Sequence, residues 1–198
     1  MFTSVLRQLG PAVRAMAVLT LLLGVAYPLA LTGFAQVAAP HRADGSLVHR
    51  DGKVVGSSLI GQSFAGKPQY FQSRPSAAGD GYDPLASSAS NLGPESPDLV
   101  AAIQERRTAA AKLDGTAPAD VAPDALEASG SGLDPQISPA YAAQQVARVA
   151  RERGLSTEVV RGLVAAHTDG RTLGFLGEPR VNVLLLNLAL DLAGGTAD

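Results

Sequence analysis

The chain has 198 residues, no cysteine, no tryptophan and a formal net charge of −2. The missing cysteine excludes disulfides, thiolate chemistry and cysteine zinc sites, and the mild acidity argues against a nucleic-acid partner. With aromatics at 5%, the core must rely on Ala, Val and Leu.

The first element is the apolar run Ala15 to Phe34, AMAVLTLLLGVAYPLALTGF. No charged residue stands between Arg14 and Arg42, and about 20 apolar helical residues cover a hydrocarbon core of ~30 Å. The run is expected to cross a membrane once. A cleaved signal peptide is the rival reading, on Arg7, Arg14 and the small residues around Gly33, but signal cores usually run ~7–15 residues. Ala17, Thr20 and Gly24 fall three or four apart and form a narrow strip. It suits close approach of another helix, or reflects ordinary span composition. Pro28 is expected to kink the helix by removing the bond to the Gly24 carbonyl.

Two arginines and no acid precede the span, so the positive-inside rule keeps the N-terminus in the cytoplasm and puts everything after Phe34 outside. Residues 1–14 are then a short cytoplasmic segment, 15–34 the transmembrane helix, and 35–198 one soluble extracytoplasmic domain with a sizeable core. That domain holds 14 basic and 18 acidic residues, a formal charge of −4.

Beyond the span, Ser46–Val48 and Lys53–Val55 flank His49-Arg50-Asp51-Gly52, a hairpin signal. Gly61 to Lys67 matches the glycine and lysine spacing of a phosphate loop, but Pro68 stands where a hydroxyl should bind magnesium, so a plain glycine turn is expected. Tyr70 to Arg74 reads as an aromatic-rich strand, and Pro75 to Pro94 as a long Gly/Ser/Asp/Pro loop. Such loops are often functional. A helix is expected from Pro97 to about Lys112, capped by Ser96 and closed by Gly115, with Leu99, Val100 and Ile103 facing inward.

Ala117 to Asp124 reads as a surface loop, Leu126 to Ala128 as a strand, and Ser129 to Pro135 as a dense turn. Two amphipathic helices follow: Pro139 to Arg153, capped by Ser138 and ended by Gly154, and Thr157 to about His167, capped by Ser156. Val146, Val149, Val160, Leu163 and Val164 should supply core. Val181 to Leu192 reads as a buried helix capped by Asn182. The fold class is α+β, a single N-terminal transmembrane helix followed by one mixed domain.

Catalytic signals are weak. Ser131, Asp134 and His167 could in principle form a hydrolytic triad, but one Ser, His and Asp in a chain is too common a combination to imply one without geometry. His167 sits where a helix C-terminus favours a cation. Lys112 to Thr116 lacks the order of the DKTGT phosphorylation motif of P-type pumps.

Several stretches together resemble the KdpC family, the small subunit of the Kdp-type potassium-transporting P-type ATPase. They are YPLALTGFAQ from Tyr27, GSSLIGQSF from Gly56, YFQSRPSA from Tyr70, YDPLASSASNLGP from Tyr82, SGSGLDPQISP from Ser129, LGFLGEPRVNVL from Leu173 and LNLALD from Leu186. The family commonly has His where Gln136 stands and Thr where Glu127 stands.

The resemblance implies a single-pass subunit of the bacterial plasma membrane, in contact with lipid. Its partners would be a channel-like potassium-binding subunit, a P-type ATP-hydrolysing subunit and a very small single-span subunit. It further implies a role in assembly and as a catalytic chaperone raising the pump's ATP affinity, with ATP reached through the complex and no catalysis by this chain alone. Candidate loop residues from these signatures are Asn91, Ser129, Gly130, Ser131, Gly132, Leu133, Asp134, Gly174, Phe175, Leu176, Gly177 and Asn182. The competing readings are a membrane-anchored extracytoplasmic hydrolase and a pure assembly scaffold.

Overall fold

The computed structural model describes the backbone of residues 2–194 and the side chains from Arg7 onward. It divides into two units at the junction of Leu47 and Val48. The first unit is dominated by one apolar helical run, α1 (Phe2–Leu19), a π-helical segment (Thr20–Ala26) and α2 (Tyr27–Ala38). Arg7 to Ala38, 32 residues, is long and apolar enough to cross a membrane, so the helix extends past both ends of the expected Ala15 to Phe34 run. A short helix α3 (Pro40–Ala43) follows.

At Pro28 the structure adds a change of helix geometry to the expected loss of a donor. The helix widens to π geometry just before it, with the Tyr27 N–H bonded to the Leu22 carbonyl five residues back. Pro28 then stands as the second residue of α2, directly after the widened turn.

The second unit begins with the hairpin of β1 (Leu47–Arg50) and β2 (Lys53–Ser57). Asp51 and Gly52 turn it with φ of 51° and 74°, the double left-handed geometry that Asp-Gly tolerates and a two-residue hairpin needs. α4 (Pro97–Asp114) runs to Gly115, whose φ of 69° closes it. Its expected details differ. Ser96 makes no side-chain cap bond, and Val100 is 52% exposed while Ala111 and Asp114 are the buried positions.

α5 (Pro139–Arg153) and α6 (Thr157–Ala166) match the expected bounds, with the Ser138 and Ser156 hydroxyls accepting from Tyr141 N–H and Val159 N–H. β5 (Arg180–Asn182) is the middle strand of an antiparallel sheet, between β3 (Gln136–Ile137) and β4 (Thr168–Asp169). These three short strands had no sequence signal, being only two or three residues long.

The expected final helix starts two residues late, as α7 (Val183–Gly194), because Val181 pairs with both Ile137 and Thr168. Asn182 still caps it, accepting from the Leu185 N–H at 3.1 Å. Val146, Val149, Val160, Val164, Val181, Leu186 and Leu190 meet in one core, each buried aliphatic contributing ~1.5–3 kcal/mol. Leu163 packs at its margin.

Three further expectations fail. Leu126 to Ala128 is no strand, and within the supposed surface loop Val121 and Ala122 are buried, with Ala125 and Leu126 beyond it. Two 3-10 turns, Pro118–Asp120 and Pro123–Ala125, tuck these apolar residues under α4 and α5. Tyr70 to Arg74 is likewise extended without strand neighbours. Side chains replace them: Asn187 bonds both the N–H and the carbonyl of Phe71, and Gln145 does the same for Gln72.

Arg148 completes this brace. Fully buried, it pairs with Asp114 at 2.7 Å and bonds Gln145 and the carbonyls of Pro68 and Tyr70. A buried charge is tolerable only with such saturation.

Candidate functional site

Four of the signature stretches interlock around the turn Ser129 to Asp134. Gly61 N–H donates to the Leu133 carbonyl at 2.8 Å, Ser88 N–H and the Ser87 hydroxyl to the Ser131 carbonyl at 3.0 and 2.9 Å, and the Ser76 hydroxyl to the Gly132 carbonyl at 2.6 Å. The same Ser76 oxygen accepts from the N–H groups of Ala78 and Tyr82. A turn without regular pairing thus has its carbonyls met by neighbouring loops, as buried backbone requires.

Two glycines permit the close approach. A side chain at Gly132, with φ of 68°, would meet Ala78 N and Ser88 O at 2.7 Å, and one at Gly61 would meet Asp134 O at 2.5 Å. Gly130 faces open space. Gly61 to Lys67 is therefore a packing turn, and a further turn at Pro68 and Gln69, not a helix, follows Lys67. The amide-lined helix start that a phosphate loop uses is missing there.

Arg74 ties the turn to its surroundings. Its guanidinium contacts Asp134 at 3.3 Å and the Glu127 carbonyl, while its own carbonyl accepts from the Tyr82 hydroxyl at 2.6 Å. Burial pushes the Tyr82 hydroxyl up to about 12, which keeps it a donor at any physiological pH. Asp134 also accepts from Gln136 N–H, and both carboxylate oxygens of Asp124 are taken by Ser138.

These groups border a cleft of about 370 Å³ lined by Arg74, Asp124, Asp134, Gln136, Glu178 and Arg180, among others. On the far side of Glu178 stands the tip between β4 and β5. Its backbone is closed by Thr172 and Leu176, which exchange both hydrogen bonds at 2.9 Å, and Leu173, Gly174 and Gly177 take φ of 56°, 82° and 74°. Leu173, Phe175 and Leu176 are 79%, 67% and 50% exposed.

The candidate residues thus divide. Ser129, Ser131, Gly132, Leu133 and Asp134 form the interlocked turn together with open Gly130, and Asn182 joins through its bond to the Ser58 carbonyl at 2.8 Å. Gly174 to Gly177 form the tip. Asn91 lies in the exposed loop at φ 52° with no hydrogen bond to the turn. Ala17, Thr20 and Gly24 lie in the other unit, where a side chain on Gly24 would touch only the Thr20 methyl, at 3.8 Å.

The triad does not assemble. Ser131 Oγ accepts from Leu133 N–H, Asp134 serves Arg74 and Gln136, and His167 Nδ1 bonds the Leu163 carbonyl at the end of α6. Arg74, Ser76, Tyr82 and Arg180 escaped residue-level reasoning. Their only signal was that the first two sit in YFQSRPSA, Tyr82 at the head of YDPLASSASNLGP, and Arg180 in LGFLGEPRVNVL.

The family described as K+-transporting ATPase, c chain, KdpC, matches residues 9–192. The chain belongs to the KdpC family. It is 63% identical over 188 residues to the potassium-transporting ATPase KdpC subunit of Kineococcus radiotolerans, covering 95% of each chain. It is 58% identical to the KdpC subunit of Sorangium cellulosum, covering 94% of this chain and 98% of that one. The subunit of Cereibacter sphaeroides is 56% identical over 187 residues. The KdpC match includes the apolar helix, the interlocked turn and the tip alike.

Proposed function

We propose that this chain is an accessory subunit of an ATP-driven potassium uptake complex, stabilising its assembly and raising the ATP affinity of its ATP-hydrolysing subunit. The observation that carries this reading is the family match over residues 9–192, which takes in the apolar helix and the folded unit together. Its partners are then a channel-like potassium-binding subunit, a P-type ATP-hydrolysing subunit and a small single-span subunit. The location is the bacterial plasma membrane, with the N-terminus cytoplasmic and the folded unit outside.

ATP is not contacted by this chain in such an arrangement. Any effect on nucleotide affinity crosses the membrane through partner subunits, as a coupling free energy typically of ~1–3 kcal/mol. It requires contacts that differ between conformational states of the pump. The strip Ala17, Thr20 and Gly24 offers a surface for close helix approach, and Gly24→Leu should reduce partner recovery in mild detergent.

The experiment is ATP hydrolysis by the purified complex with and without this chain. Coupling of that size gives roughly 5–150-fold weaker ATP binding without it, read as a higher KM where chemistry is slow relative to ATP release. An intact complex with unchanged KM would leave only the scaffold role. The hydrolase reading has no support in the positions of Ser131, Asp134 and His167.

A further inference from the structure

We propose that the tip between β4 and β5, with the cleft beside it, docks a loop of another subunit of the ATPase that sets an apolar side chain next to a carboxylate. The proposal deepens the accessory-subunit reading by naming the surface and the partner's chemistry.

The tip is built in advance of any partner. Its internal hydrogen bonds fix the backbone, so little conformational entropy remains to be lost when Leu173, Phe175 and Leu176 are covered. Leu173 holds a left-handed φ of 56°, uncommon for a branched apolar residue. Strain of this kind persists where the surroundings over-determine it and collects at functional surfaces. An exposed aromatic flanked by aliphatics and a polar rim has the composition of an interface centre.

The cleft supplies the charge requirement. Asp124, Asp134 and Glu178 have their carboxylates engaged by Ser138, by Arg74 and Gln136 N–H, and by Arg171. Among the described residues, the Arg180 guanidinium and the Gln136 carboxamide make no hydrogen bond, and both line the cleft. Its unspent groups therefore include five guanidinium donors, which a carboxylate satisfies best. A lipid surface fits less well: with Arg171 at the neck of the tip paired to Glu178 at 2.7 Å, Arg180 alone falls short of the cluster of basic residues that an anionic membrane surface calls for. Anionic headgroups reward unpaired basic residues.

The test is Phe175→p-benzoylphenylalanine in the full chain, co-expressed with the other subunits and irradiated. The expected result is an adduct with one other subunit, on a peptide containing Asp or Glu. Val159→p-benzoylphenylalanine, at a position of α6 that is 46% exposed, should give none. Phe175→Ser and Arg180→Gln should each lower partner recovery at least tenfold, while the melting temperature of the isolated full chain under Phe175→Ser stays within a degree or two. Adducts with lipid alone, with a second copy of this chain, equally from Val159, or with nothing would overturn the proposal, as would unchanged recovery in both variants. Measuring KM for ATP on the same variants separates the two readings. An adduct with KM unmoved by Phe175→Ser supports the docking surface and counts against the nucleotide effect.

Discussion

Asn187 and Phe71 stand 116 positions apart and exchange two hydrogen bonds, Phe71 N–H to Asn187 Oδ1 at 2.9 Å and Asn187 Nδ2 to the Phe71 carbonyl at 3.0 Å. One carboxamide presents the donor and acceptor that a neighbouring strand would present. Gln145 repeats the device one residue on. The extended segment from Tyr70 to Arg74 is thereby fixed from α7 and α5, and it delivers Arg74 to the interlocked turn.

Asn187→Leu should therefore be severe, although the two side chains are close in size. It leaves two buried backbone groups unmet, at ~1–3 kcal/mol each, or about 2–6 kcal/mol together. Denaturant unfolding of the full chain in detergent measures this. Asn187→Asp keeps the acceptor but turns a buried carboxylate oxygen toward the Phe71 carbonyl, so it should not rescue stability at neutral pH; a Leu variant as stable as the native chain would contradict the brace.

Within Ser129-Gly130-Ser131-Gly132 the two glycines should respond oppositely to alanine. Gly132→Ala meets backbone at 2.7 Å and carries a φ of 68°, so a loss of about 2–3 kcal/mol or more is expected. Gly130→Ala enters open space and should stay within about 0.5 kcal/mol. Equal responses in thermal unfolding would contradict the interlocked turn.

Asp191 should govern part of the acid limb of stability. Burial raises its pKa, but hydrogen bonds from Arg153, Arg50 and Tyr70 outweigh this and leave it below the ordinary value of 3.8. A depressed carboxylate stabilises the fold above its unfolded pKa, and that contribution is lost as pH falls through the folded one. Asp191→Asn should lower stability at neutral pH and flatten its decline below about pH 4. An acid limb as steep as that of the native chain would show that other carboxylates set it.

Sidedness is testable because the chain has no cysteine. Ser4→Cys and Ser87→Cys lie in opposite flanks of the apolar run, and Ser87 is exposed. A membrane-impermeant thiol reagent on intact cells should label only Ser87→Cys if the positive-inside reading is right. Labelling of Ser4→Cys alone would put the folded unit inside and reopen direct nucleotide contact.

Much of the architecture was legible in one dimension. The apolar helix, the Asp51-Gly52 hairpin, and the bounds of α5 and α6 with Ser138, Gly154 and Ser156 all rest on interactions spanning a few residues. Hydrophobic spacing, capping hydroxyls and glycines tolerant of positive φ encode such elements locally. The family, too, was readable in one dimension, because each signature stretch is a contiguous run of the chain.

What only the tertiary structure decided depends on residues far apart in sequence. β5 is a strand because Gln136–Ile137 and Thr168–Asp169 flank it, and three residues carry no period that could announce this. Tyr70 to Arg74 read as a strand because its composition suits extension, yet its hydrogen bonds come from the side chains of Asn187 and Gln145. Pattern reasoning treats such residues as polar surface. The roles of Gly132 and Gly130 are indistinguishable as letters; one is pressed between Ala78 and Ser88, while the other meets nothing. Local propensity acts through neighbours in the chain, whereas packing and hydrogen-bond satisfaction act through neighbours in space, and the second set exists only once the chain has folded.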